Sequence, residues 1–406
     1  MWTRTNELSL RRRRRRLLRR LDRIDSAKAL YAFQKRLAGE IRRIEPHAFA
    51  DRTSPARRHL RLLRLFGDAL AWKELHPYSI RQLAKNPGKP PALHDQKGFP
   101  ATLAIARRCA KAGLPALVAD LSNCLRISDV IVCADPEHPF LIESGGHPHY
   151  ALKGRKGRQL QRATAVGELL RNGYGRLPGE RFTTVTQTIR APVVRSFDHL
   201  QRAVADCLES GYGWSVAAEG DVIVVTGAGD FEIAPELFPL LDRMGAMGVG
   251  IHLRLLERPQ ARHAPPLAWP LPQAHRRALL EGDVVVVHFV DLDRLVGMTG
   301  PHGAITQVRT EGDAIAGIVA EGDGGELHLS PLFLNDVLYG FQTLDSLRQT
   351  IDEVLATPLG ELFDAVPEAE QDSGREERPF PDASAAEGWT SVPVDQFLKG
   401  RVGLDR

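Results

Sequence analysis

The stretch Ser128–Arg162, SDVIVCADPEHPFLIESGGHPHYALKGRKGRQLQR, decides how the chain is read. Asp129 opens one strand-like run, Asp129–Cys133, and Glu143 closes the next, Phe140–Glu143. The turn Asp135-Pro136-Glu137 separates them, so two short strands are predicted. A basic, glutamine-bearing segment follows, with Lys153, Arg155, Lys156, Arg158, Gln159 and Gln161. Across a hairpin the first residue of one strand lies beside the last residue of its neighbour. Both carboxylates are therefore expected at one end of a sheet.

Working outward, Ala101–Ala112 has a helical pattern that stops at Gly113-Leu114-Pro115. The apolar period then changes to two, and Ala116–Asp120 reads as a strand. On the other side, Gly154–Asn172 returns to helical spacing and ends at Gly173, and Arg181–Arg190 alternates β-formers. The expected order is helix, three strands, helix, strand. Hydrolysis of a phosphodiester needs an activated water and relief of charge on the leaving group. Carboxylates such as Asp129 and Glu143 suit a hard divalent cation that does both, and a nearby amine would orient the water and steady developing charge.

With these residues the segment resembles the PD-(D/E)XK, restriction-endonuclease-like superfamily. That core runs α-β-β-β-α-β, with an Asp at the second strand, Glu-x-Lys on the third and often a Gln in the following helix. Asp129 matches the Asp, Glu143 the first position of Glu-x-Lys, and Gln159 or Gln161 the helix Gln. The likeness covers Gln96 to Arg190, under a quarter of the chain. GDALAWKEL (67–75) and DLSNCLRISD (120–129) are also similar to text from uncharacterised bacterial proteins with this core. The resemblance implies a Mg²⁺-dependent nuclease acting on DNA or RNA, with a place in bacterial defence or a mobile element. Asp129 and Glu143 would hold the metal.

Gly145 departs from the pattern, because it stands where the Lys would be. Lys153 and Lys156 are candidates to supply the amine, with Arg155 and Arg158 on phosphate, and His147 or His149 to serve as a substitute base. The same charges also suit a solvated helix start, and an Asp and Glu on adjacent strands are common on ordinary hairpins. Two readings follow: a nuclease, or a catalytically inactive nuclease-fold subunit that binds nucleic acid or a partner protein as a scaffold.

The N-terminal part carries its own signal. Residues 1–114 hold 28 Lys and Arg against 9 Asp and Glu, whereas the remainder holds 26 against 41. The chain's net charge of +4 thus hides parts of +19 and −15. A basic region of this kind suits a polyanion, or an acidic surface elsewhere in the assembly. Residues Glu7–Ile44 show helical apolar spacing, and Ala56–Leu75 shows more. Six consecutive arginines, Arg11–Arg16, point in nearly every direction on a helix, so some must press against its apolar side. Arg11, Arg12, Arg15, Arg16, Arg19 and Arg20 are the candidate phosphate contacts.

The fold class expected is α/β, in four parts. These are a basic helical region at 1–95, the nuclease-like core at 96–190, a C-terminal α/β domain at 191–366 and an acidic, poorly periodic tail at 367–406. The third part shows a helix at Phe197–Leu208, a hairpin in WSVAAEGDVIVVTG and a buried strand at Val284–Val290. Further strands are predicted near Ile315–Val319 and Leu327–Leu329, with a final helix at Leu344–Leu355. The tail is expected to lack persistent structure, apart from a docking motif near Trp389 or Phe397. Gly227-Ala228-Gly229 reads as an ordinary turn and His288, near Asp291, as a hydrogen-bonded core histidine. Cys109, Cys124, Cys133 and Cys207 form no CxxC pair and read as free thiols of a reducing cytoplasm. No apolar run reaches the roughly 20 residues that cross a bilayer, and no apolar segment follows the arginines as in a secretory signal.

Overall fold

The computed structural model describes residues 4–50, 55–84, 92–125, 127–142, 165–170, 172–175, 184–185, 190–227, 235–243, 249–253, 266–311, 314–322, 325–329, 337, 340–356, 358 and 391–393. The chain is a mixed α/β protein whose sheets are small and antiparallel. It divides into two compact units, Met1–Thr186 with Ala261–Trp269, and Gln187–Gln260 with Pro270–Arg406. The basic helices and the three-strand segment thus belong to one unit. No helix among the described residues is long and apolar enough to cross a membrane.

The first unit opens with α1 (Arg4–Leu21), α2 (Ala27–Ala50), α3 (Pro55–Glu74), α4 (Pro77–Ala84) and α5 (Phe99–Lys111). Each long helix exists because its apolar residues recur every three or four positions and find a partner. In α1 these are Leu10, Leu17, Leu18 and Leu21, and in α2 Leu30, Phe33, Leu37, Ile41 and Ile44. Phe33 of α2 meets Phe66 of α3 with ring centroids 6.3 Å apart. α3 is enclosed on nearly every side, so its His59, Arg64 and Asp68 are buried with its leucines. At its C-terminus α5 stops with Gly113 at φ +79°. There Leu114 donates to the Cys109 carbonyl and Gly113 to that of Ala110, which satisfies the last helical oxygens.

Pro115 then directs the chain into β1 (Ala116–Val118), followed by β2 (Val130–Val132) and β3 (Phe140–Ile142). They form one antiparallel sheet in the order β1-β2-β3. Residues 165–170 form a short helix, α6, within the predicted Gly154–Asn172. The predicted strand Arg181–Arg190 is described only as β5 (Thr184–Val185), which pairs with β4 (Tyr174–Gly175). Among the described residues it is thus part of a separate two-stranded sheet, not a fourth strand beside β1–β3. Tyr174 and Gly175 lie near it in sequence and present a local partner.

The second unit contains α7 (Phe197–Ser210), β6 (Tyr212–Ala218), β7 (Asp221–Gly227), α8 (Phe238–Arg243), β8 (Val249–Leu253), α9 (Gln273–Glu281) and β9 (Val284–Val290). β10 (Thr299–Gly300), β11 (Gly303–Glu311), β12 (Ala314–Gly322) and β13 (Gly325–Leu329) make a four-stranded meander. α10 (Leu344–Leu355) is N-capped by Thr343, whose hydroxyl accepts from the Ser346 amide at 3.2 Å. The larger sheet runs β14-β8-β9-β7-β6, where β14 is Ser391–Pro393. That short piece of the tail therefore has a strand partner; Trp389 and Phe397 lie outside the described residues.

At the centre of this sheet, His288 and Asp221 are fully buried, with Nε2 2.8 Å from Oδ1. The histidine is a hydrogen-bonded core residue, and Asp221 on the adjacent strand is its partner at Nε2. Register decides this, because Ile223 and Ile251 flank His288 while Asp291 has already left the strand. All four cysteines are free thiols. Burial pushes the Cys207 thiol up to about 11.

Candidate functional site

The rung Val118–Val130–Ile142 crosses all three strands of the first sheet. Asp129 stands one residue before it and extends the ladder on both sides. Its amide donates to the Ile142 carbonyl at 3.2 Å, and its carbonyl accepts from the Ala119 amide at 3.1 Å. The Asp129 side chain is half-buried, so it is neither sealed in the core nor loose on the surface.

The chain between β1 and β2 is clamped to helix α3. Gly67 of α3 touches the turn Ala119–Leu121 so closely that a Cβ there would lie 2.2 Å from the Leu121 carbonyl oxygen. Asp68 accepts from the Asn123 amide at 2.5 Å, the Asn123 side-chain Nδ2 at 2.7 Å and the Cys124 amide at 2.9 Å. Burial nevertheless pushes its carboxyl above the ordinary range, against the opposing pull of these donors.

A second set of buried charges continues from the same turn. Arg64 donates through Nη1 to the Asp120 carbonyl at 3.1 Å and through Nη2 to Glu45 Oε1 at 3.0 Å. Glu45 Oε2 accepts from the His94 amide at 2.9 Å and lies 3.2 Å from His94 Nδ1. Phe49 stacks on the His94 ring. Gln96 Nε2 donates to Asp120 Oδ2 at 2.8 Å. Burial lowers the Arg64 pKa, with Glu45 pulling the other way. The outer edge of β1 is satisfied by a side chain: Gln34 of α2 donates to the Ala116 carbonyl at 2.8 Å and accepts from the Val118 amide at 2.7 Å. The loop that delivers Asp129 is thus held from α2, α3 and β3 together.

Of the predicted carboxylate pair, Asp129 is described; Glu143 lies outside the described residues, as do Gly145, His147, His149, Lys153, Arg155, Lys156, Arg158, Gln159 and Gln161. Among the described residues no group of three or more His, Cys, Asp and Glu side chains could hold a metal ion. Sequence reading missed the supporting set Gln34, Glu45, Arg64, Asp68, Gln96 and Asp120. The only local signal for it is that charged residues interrupt otherwise apolar positions of α2 and α3.

The arginine block is sorted by α1. Arg14 faces inward onto His59 Nδ1, and Arg13 pairs with Glu40 at 3.3 Å, where Arg43 also binds. Arg11 is half-buried, whereas Arg12, Arg15, Arg16, Arg19 and Arg20 are exposed. No family model, curated protein or solved structure matches the chain.

Proposed function

We propose that the chain is a divalent-cation-dependent nuclease with a restriction-endonuclease-like core, acting on DNA or RNA. The observation that carries this reading is the bond from the Asp129 amide to the carbonyl of Ile142, the residue before Glu143. A carboxylate at the start of one strand, next to the end of its antiparallel neighbour, suits a two-carboxylate donor set for a hard cation. Mg²⁺ held by Asp129 and Glu143 would supply Lewis acidity and an activated water. Lys153 or Lys156 takes the part of the absent Glu-x-Lys amine and steadies charge on the attacked phosphate. Gln159 orients the water, and Arg155 and Arg158 hold the phosphate backbone.

Gly145 favours a second reading, in which the core keeps its shape without cleaving and binds nucleic acid or a partner subunit. Incubation of plasmid, single-stranded DNA and RNA with Mg²⁺ or Mn²⁺, with and without chelator, separates the two. The nuclease reading expects cation-dependent cleavage of at least one substrate. No cleavage of any of them, with nucleic-acid binding retained, selects the second reading.

A further inference from the structure

We propose that the outward face of α1 docks on the phosphate backbone of double-stranded nucleic acid, an inference that rests on the nucleic-acid half of the function proposed above. At 3.6 residues per turn, Arg12, Arg15, Arg16, Arg19 and Arg20 fall within an arc of about 140°. All five are exposed. The opposite face carries Leu10, Arg14, Leu17, Leu18 and Leu21, all buried. The helix is therefore fixed in rotation by its apolar side, which leaves the arginine side outward.

The sequence of α1 itself does not balance the charge on that face. Residues 8–21 contain no acid, and Asp22 and Asp25 come only after the helix ends. Glu40 is taken by Arg13 and Arg43 at the flank. Among the described residues no ion pair joins Arg12, Arg16, Arg19 or Arg20 to a carboxylate. Like charges three and four residues apart each destabilise a helix by about 0.2–0.5 kcal/mol. An array of phosphates relieves this repulsion and releases counterions.

The helix itself lacks what single strands need. Single-strand sites combine a basic groove with aromatic rings on which bases stack. The sequence of α1, RTNELSLRRRRRRLLRRL, has no aromatic residue. From Arg12 to Arg20 the helix is a straight rod about 12 Å long, which suits the fixed phosphate spacing of a duplex. Such contacts position a duplex without reading its sequence.

The test is fluorescence anisotropy of a short labelled DNA duplex with the wild-type chain in chelator, so that cleavage does not intervene. If all five arginines engage phosphates, log K falls against log salt with a slope of about −4.5. The triple substitution R12Q/R16Q/R19Q should bring the slope to about −2 and weaken low-salt binding about tenfold or more. Circular dichroism and melting of the triple variant should match wild type, since its buried face is untouched. R107Q/R108Q, at exposed positions of α5, should leave the slope unchanged. An unchanged slope in the α1 triple variant overturns the proposal, as does a flat salt response. Tighter binding of a single strand of equal length overturns it too. Binding that follows α1 without any cleavage removes the catalytic reading and leaves this surface standing; cleavage with an unaltered slope does the reverse.

Discussion

Gln34 stands in for a strand beside Val118, accepting from its amide at 2.7 Å while donating to the Ala116 carbonyl at 2.8 Å. A helix side chain thereby satisfies two of the backbone groups that β1 turns away from β2. Gln34→Leu orphans both in a buried setting, at about 1–3 kcal/mol each. Urea denaturation should show a lower midpoint at an unchanged slope. A variant as stable as wild type would mean that β1 finds another partner.

Arg64 and Glu45 form a pair with 2% and 0% side-chain exposure. Removing one partner strands a buried charge. Glu45→Ala should therefore cost about 3–5 kcal/mol, whereas replacing both residues by apolar side chains of similar volume should cost much less or stabilise. A double-mutant cycle by chemical denaturation measures this. A single-variant loss below about 1 kcal/mol would contradict the burial of the pair.

Gly67 is required by contact rather than by conformational freedom, since a Cβ would lie 2.2 Å from the Leu121 oxygen. Gly67→Ala must push the turn away from α3. Overpacking of this sort costs about 1–3 kcal/mol. Because Ala119 in that turn donates to Asp129, the cation binding proposed at Asp129 should weaken along with thermal stability. Full stability in the alanine variant would show that the turn stands farther from α3.

Asp68 sets a pH dependence. Burial raises its carboxyl above the ordinary 3.8, so the folded chain holds that proton more tightly than the unfolded chain. Its contribution is fully present below the unfolded value and is lost as pH rises through the folded one. Asp68→Asn has no such proton. The stability of wild type relative to Asp68→Asn should therefore fall as pH is raised from below 3.8 toward neutrality. A difference that grows with pH would show that the donors from Asn123 and Cys124 outweigh burial.

The apolar runs Ala116–Val118, Val130–Val132 and Phe140–Ile142 are legible as strands because β-formers meet clear turn signals at Pro115 and Asp135-Pro136. Val284–Val290 and Leu344–Leu355 are equally plain, one opening on four consecutive valines and the other a strongly amphipathic helix. β11, GAITQVRTE, escapes notice because polar residues break its alternation and its pairing with β12 shifts register twice. The supports of Asp129 are hidden for another reason. Gln34 meets β1 across 82 and 84 residues of sequence, and Arg64 and Asp68 sit on a helix enclosed all round. Periodicity identifies the apolar side of a helix. It does not reveal that the other side is covered as well.

Asp129 and Glu143 are proposed to form one cation-dependent cleavage site. Its most direct test is the cleavage rate of wild type against Asp129→Asn and Glu143→Gln, on whichever substrate the wild type cuts in Mg²⁺ or Mn²⁺, with folding checked by circular dichroism. The account predicts that each substitution lowers the rate about a hundredfold or more. Cation-dependent cleavage that persists at the wild-type rate in both folded variants would contradict it.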